Sequence, residues 1–125
     1  DRVVFHDVIY DRELLKAIYA RADLFLFPSL YDNAPLVLRE AAAMKTPAVL
    51  IKGSTAAEVI QNGENGFLCQ ADKEDFAQTI VRALSDKEAL ARIGANAQRT
   101  LCRTWESIID EVAKRYCSIL ERWER

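Results

Sequence analysis

Two carboxylates, Asp32 and Glu40, flank a change of local character in the chain. Before it lies Pro28-Ser29-Leu30-Tyr31-Asp32-Asn33-Ala34, a loop-like stretch; after it comes Pro35-Leu36-Val37-Leu38-Arg39-Glu40-Ala41-Ala42-Ala43-Met44, apolar almost all round. The second stretch reads as a buried helix with Pro35 in its first turn, where a missing N–H costs nothing. Glu40 then lies roughly 6–7 Å along the axis from the helix start. Because helical side chains tilt toward the N-terminus, Glu40 is expected to reach the mouth that Asp32 lines. The helix start offers unpaired N–H groups and a partial positive charge, a seat for phosphate. Carboxylates beside it can accept hydrogen bonds from hydroxyl groups. A diphosphate carrying two polyhydroxyl rings, as in a nucleotide-sugar, matches that set. On residue types alone a plainer reading also stands: Asp32 and Asn33 as turn formers, and Glu40 paired with a neighbouring Lys or Arg.

The elements that must hold these residues follow from the apolar pattern. Val3-Val4-Phe5 is strand-like. Asp11 caps a helix with Leu14, Leu15, Ile18 and Ala22 on one face. Asp23 to Phe27 is a nearly continuous apolar strand ending at Pro28-Ser29, and Pro47 to Ile51 is a second. Gly53-Ser54-Thr55 is a turn, Ala56 to Gln61 a short helix, and Phe67-Leu68-Cys69 a further strand reached through Asn65-Gly66. Continuous apolar strands separated by helices indicate a parallel sheet covered on both faces, and ligands bind such sheets at the carboxyl ends of the strands. The remainder is helical. One helix carries Phe76, Ile80 and Leu84. A second opens at Ser85-Asp86-Lys87-Glu88, which has the pattern of a capping box, and carries Leu90, Ile93, Ala97 and Leu101. A long last helix carries Trp105, Ile109, Val112, Tyr116, Ile119 and Trp123.

Composition narrows the classes. The 125 residues suffice for one domain. A formal charge of −2 offers no basic face, so no nucleic-acid partner is expected. Cys69, Cys102 and Cys117 are scattered, which argues against a disulfide framework or a zinc knuckle and suits reduced thiols in a cytoplasmic protein. No apolar run approaches a membrane span, and the first residues do not form a signal peptide. The start in a strand-like segment without Met reads as a fragment boundary. His6, the single histidine, reads as a polar strand-end residue.

Phe27 to Ala41 resembles the signature of the retaining GT-B glycosyltransferases of family 4 (group 1), in which Pro-Ser precedes two acids eight positions apart and a Pro with a β-branched run follows, here Pro47-Ala48-Val49. Ala57-Glu58-Val59-Ile60, Asn62-Gly63 and Asn65-Gly66-Phe67-Leu68 resemble a further family segment; so do the helix from Asp72 to Leu84 and the stretch from Trp105 to Tyr116. The resemblance implies an α/β fold: a Rossmann-like three-layer half of a GT-B C-terminal domain, with about four parallel strands, flanking helices and a helical C-terminus. Residues 1–125 would be part of the donor-binding domain, with a β/α portion (1–70) and a helical portion (71–125), the N-terminal acceptor domain being absent.

The same resemblance implies the site. Asp32 would be the catalytic residue, facing the donor sugar, and Glu40 would bind the ribose hydroxyls. Ala34, Leu36 and Val37 would turn their amides to the diphosphate, within a nucleotide-sugar-binding stretch that also includes Ser29, Asn33 and Pro35. No metal or other cofactor is implied, and no Asp-x-Asp motif is present. The implied partners are a nucleotide-diphosphate sugar and an acceptor glycan, lipid or small molecule, and the resemblance allows peripheral association of the parent enzyme with a cytoplasmic membrane face. The pattern departs from the family at Asp32, where Glu is usual; at Lys45, where Gly is usual and where Lys would be strained if φ is positive; and at Asp7, where Gly often stands. In the strand order 3-2-1-4-5-6 this chain would hold strands 3 to 6, leaving the strand at Leu24–Phe27 without its neighbour unless Val3–Phe5 moves in beside it. Self-association, weak nucleotide binding and no turnover are expected of the isolated fragment. The competing readings are a non-catalytic interaction module derived from such an enzyme, and a dinucleotide-binding oxidoreductase domain; no G-x-G-x-x-G supports the latter.

Overall fold

Three short apolar segments pair side by side in a computed structural model that describes residues 2–33 and 35–123. They are β1 (Phe25–Phe27), β2 (Ala48–Ile51) and β3 (Phe67–Cys69), all parallel and in the order β1-β2-β3. Phe25 lies opposite Ala48, and Val49 opposite Phe67. The helices are α1 (Arg12–Arg21), α2 (Leu36–Ala43), α3 (Lys73–Ser85), α4 (Lys87–Leu101) and α5 (Trp105–Trp123), with a short 3₁₀ helix at Thr55–Val59. This is the expected Rossmann-like arrangement, with three strands rather than about four.

Strand alternation divides the core. Ala48 and Leu50 face α2, α4 and the 3₁₀ helix, packing with Leu38, Ala42, Ala57, Ala97 and Leu101. Val49 and Ile51 turn to the opposite face with Cys69, against Phe76 and Ile80 of α3. All four β2 residues are buried, as a central parallel strand requires.

Val3-Val4-Phe5 lies outside the sheet, and Phe5 is 93% exposed. The residues gain no ladder hydrogen bonds, and β1 pairs only with β2, so its other edge is free among the described residues. Asp11 caps α1 as expected, accepting from the amides of Glu13 and Leu14 at 2.9 and 3.1 Å. No α1 residue is buried, however, and Leu14 and Ile18 remain exposed, because α1 meets the rest mainly at α2 and, through Tyr19, at Phe25. The short helix expected over Ala56 to Gln61 is a 3₁₀ helix over Thr55–Val59, a form suited to so short a piece. The N-cap of α4 is Asp86, which accepts from the Ala89 amide at 2.9 Å; Ser85 instead donates to the Arg82 carbonyl, so the capping box is not formed. The last helix forms over Trp105–Trp123 with no buried residue, leaving both tryptophans and the apolar stripe between them exposed.

At its C-terminal end α2 closes in a Schellman motif. The Thr46 amide donates to Ala41 O at 3.0 Å and the Lys45 amide to Ala42 O at 2.9 Å. Lys45 has φ 62°, so the condition under which Lys would be strained at this position is met. Gly94 of α4 crosses directly over it: a Cβ there would stand 2.1 Å from the Lys45 carbonyl oxygen. The two helices also satisfy each other's last carbonyls. Gln98 of α4 donates to Ala43 O at 2.7 Å, and Arg39 of α2 donates to Leu101 O at 2.8 Å.

Candidate functional site: the opening of α2

The strand β1 ends at Phe27 and the chain runs through Pro28–Asn33 to the start of α2, at the carboxyl edge of the sheet. Pro35 is the N-cap residue, with φ −61° and ψ 124°, one position earlier than the first-turn place expected for it. Its side chain supplies no capping bond, so nothing from the cap competes for the first amides. The first internal bond runs from the Leu38 amide to Pro35 O at 3.2 Å. Leu36 and Val37, the first two helical residues, are exposed, Leu36 at 73%. The opening is therefore accessible and amide-rich, although Leu38 and Ala41 anchor the same helix in the core.

Ser29 and Asp32 are half-buried in the preceding loop, and Asn33 is exposed. The carbonyl of Asp32 accepts from Thr55 Oγ1 at 2.8 Å. Ala34 lies outside the described residues. On this flank of α2 a hollow of about 290 Å³ is bounded by Asn33, Pro35, Arg39, Thr55, Glu58 and Leu101. On the α1 flank a second hollow, about 380 Å³, is bounded by Ile9, Tyr10, Arg12, Lys16, Tyr19 and Glu40. Glu40 is exposed there. Tyr19 is pushed above the usual tyrosine range, first by its burial and then by the negative charge of Glu40. The Tyr19 ring meets Phe25 edge-on at 5.8 Å, so it is fixed against β1.

A helix turns 100° per residue, so Glu40 comes to the α1-flank hollow while Arg39 faces the Thr55 flank, and Asp32 lines neither of these two hollows. The cations beside Glu40 were missed in the sequence. Arg12, Lys16 and Tyr19 recur at spacings of four and three, one stripe of α1, and that periodicity was the signal available. The Thr55 hydroxyl, which is joined to Asp32 across 23 residues, had no sequence signal. Among the described residues no group of three His, Cys, Asp or Glu side chains is gathered as a metal site needs. No helix there is long and apolar enough to cross a membrane.

Residues 1–100 match the family described as "Glycosyl transferases group 1". The chain is 28% identical over 123 residues to N-acetyl-alpha-D-glucosaminyl L-malate synthase of Bacillus anthracis, an alignment that covers 96% of this chain and 32% of that one. Sucrose-phosphate synthase from Thermosynechococcus elongatus superposes with a TM-score of 0.80 at 27% identity, covering 97% of this chain and 31% of the other. HepE from Anabaena, solved in complex with UDP, superposes with a TM-score of 0.69 at 26% identity, over 81% and 29% of the two chains. The chain spans only 12–33% of the length of curated relatives that it matches. With the parallel sheet, the exposed opening of α2 and a family match over residues 1–100 of 125, the chain belongs to the group 1 glycosyl transferases.

Proposed function

We propose that this chain holds the nucleotide-sugar donor for a glycosyl transfer carried out by the protein of which it is part. The observation that carries this reading is the exposed, uncapped start of α2 beside the Asp32 loop at the carboxyl edge of a parallel sheet. The diphosphate lies on the amides of Leu36 and Val37. Ribose hydroxyls donate to Glu40, and the base occupies the α1-flank hollow against Ile9 and Tyr10. The donor sugar extends toward the Asp32 loop, Ser29 and Asn33. HepE has also been solved with UDP-glucose, which supports a hexose-type donor.

Chemistry at such a site is electrostatic. Charge grows on the departing diphosphate, and amides fixed in advance stabilise it more in the transition state than in the ground state. We assign Asp32 to the sugar face, transfer with retention, no metal requirement, and a cytoplasmic location with peripheral contact to a membrane face; the acceptor is a glycan, a lipid or a small molecule. A helix terminus supplies only about half a charge against a diphosphate. The isolated chain therefore binds nucleotide weakly and does not turn over, and its free β1 edge favours self-association.

Titration of UDP-glucose and ADP-glucose, followed by backbone amide shifts, tests the reading. Shifts centred on Leu36, Val37 and Glu40 support it; saturating nucleotide-sugar that leaves those signals in place overturns it. The alternative, a non-catalytic interaction module, has no structural observation in its favour.

A further inference from the structure

We infer that Thr55 is a positioning residue for the sugar-facing end of this site: its hydroxyl holds the loop that carries Asp32. The inference rests on the nucleotide-sugar reading above. Pro28–Asn33 has no helical or strand pairing, and between the end of β1 and the buried Pro35 only one hydrogen bond to it is found among the described residues. That bond runs from Thr55 Oγ1 to the Asp32 carbonyl at 2.8 Å. A carbonyl fixed in direction fixes the peptide plane, and with it the place of the Asp32 Cα from which the carboxylate is carried.

The donor stands on firm ground. Thr55 opens the 3₁₀ helix that follows β2. The preceding residue is tied down on both sides: the Ser54 amide donates to Ile51 O at 3.1 Å, and Ser54 O accepts from the Ala57 amide at 3.1 Å. Ala56 and Ala57, the next two residues, are buried in the core. A β-branched side chain also has few rotamers, so the hydroxyl is held in direction. Thr55 thus transfers the rigidity of β2 to a loop that has little of its own. Because it acts on the backbone of Asp32 and not on the carboxylate, its loss alters where the carboxylate sits and leaves the α2 amides untouched.

The test compares Thr55→Val, Thr55→Ser and Thr55→Ala with the unaltered chain, titrating each with UDP-glucose, ADP-glucose, UDP and ADP. Thr55→Val is expected to weaken the sugar nucleotides about fivefold, the size of one lost hydrogen bond, with UDP and ADP unchanged. Thr55→Ser should restore binding, since it keeps the donor. Backbone order parameters at Tyr31, Asp32 and Asn33 should fall in Thr55→Val and not in Thr55→Ser. Equal losses for sugar nucleotides and bare diphosphates, no loss at all, or a serine variant that behaves like valine would each overturn the assignment. Should Thr55→Val fail to fold, the alanine–serine contrast reads the same difference. Failure of the site reading itself shows separately, as an unaltered chain that binds none of the four compounds, and it takes this assignment with it.

Discussion

Among the described residues the Glu40 carboxylate has no hydrogen-bond partner, and it is exposed, so it contributes little to the fold and is free for the ligand role proposed for it. Glu40→Gln is expected to leave the melting temperature within experimental error while weakening nucleotide binding about tenfold, the scale of a charge-assisted hydrogen bond. It should also lower the Tyr19 pKa toward its ordinary value, because one of the two causes of the upward shift is removed; ultraviolet titration reads that change. Lys45 sits where the sequence pattern called for glycine, and the backbone there is left-handed. Lys45→Gly is expected to stabilise the fold by about 0.5–1 kcal/mol, the relief of the αL contact less the entropy that glycine adds to the unfolded chain. Chemical denaturation measures it. This position was legible from the departure alone. The placing of Glu40 on the α1 flank was not: spacing along a helix gives axial distance readily, whereas the flank on which a side chain emerges depends on what packs beside it.

At the scale of elements, α2 and α4 were both legible, α2 from its apolar run and α4 from the recurrence of Ile93, Ala97 and Leu101, all of which are buried. What could not be read was their close crossing at Gly94. An added methyl would meet backbone, not the end of a mobile side chain. Gly94→Ala is therefore expected to destabilise by about 2 kcal/mol or more, against the small gain in helix propensity that the same change brings to an open helix. Thermal denaturation distinguishes the two signs. The start of α3 gives a pH dependence. Asp72 is held below the usual carboxylate range, first by the amide of Asp75 at 3.0 Å. Its folded pKa lies below its unfolded one, so its contribution is complete above the unfolded value and is lost as pH falls through the folded one. The melting temperature should fall through that acid window, and Asp72→Asn should flatten the fall. Glu111, which is drawn down first by its hydrogen bond with Arg103 and then by the Arg103 and Arg115 charges, acts in the same direction on α5.

Across the whole molecule, the parallel order of the strands followed from uninterrupted apolar runs joined by helices. The fate of Val3–Phe5 did not, because strand character is realised only where a partner edge is in reach. The result, among the described residues, is an unpaired β1 edge, beside which Leu26 is 43% exposed, together with an α5 whose apolar stripe from Trp105 to Trp123 is exposed. An open edge of this kind favours pairing between copies. Light scattering should show mass rising with concentration, and Leu26→Lys should reduce the rise; a constant monomer mass at high concentration would refute the expectation. The reciprocal bonds of Gln98 to α2 and Arg39 to α4 act on a different axis. Each helix bolts down the far end of the other, so neither can slide without loosening both. The exposed opening of α2 is thereby indexed to the end of α4 at Leu101, and a tug on α5 would reach it before it disturbed the sheet.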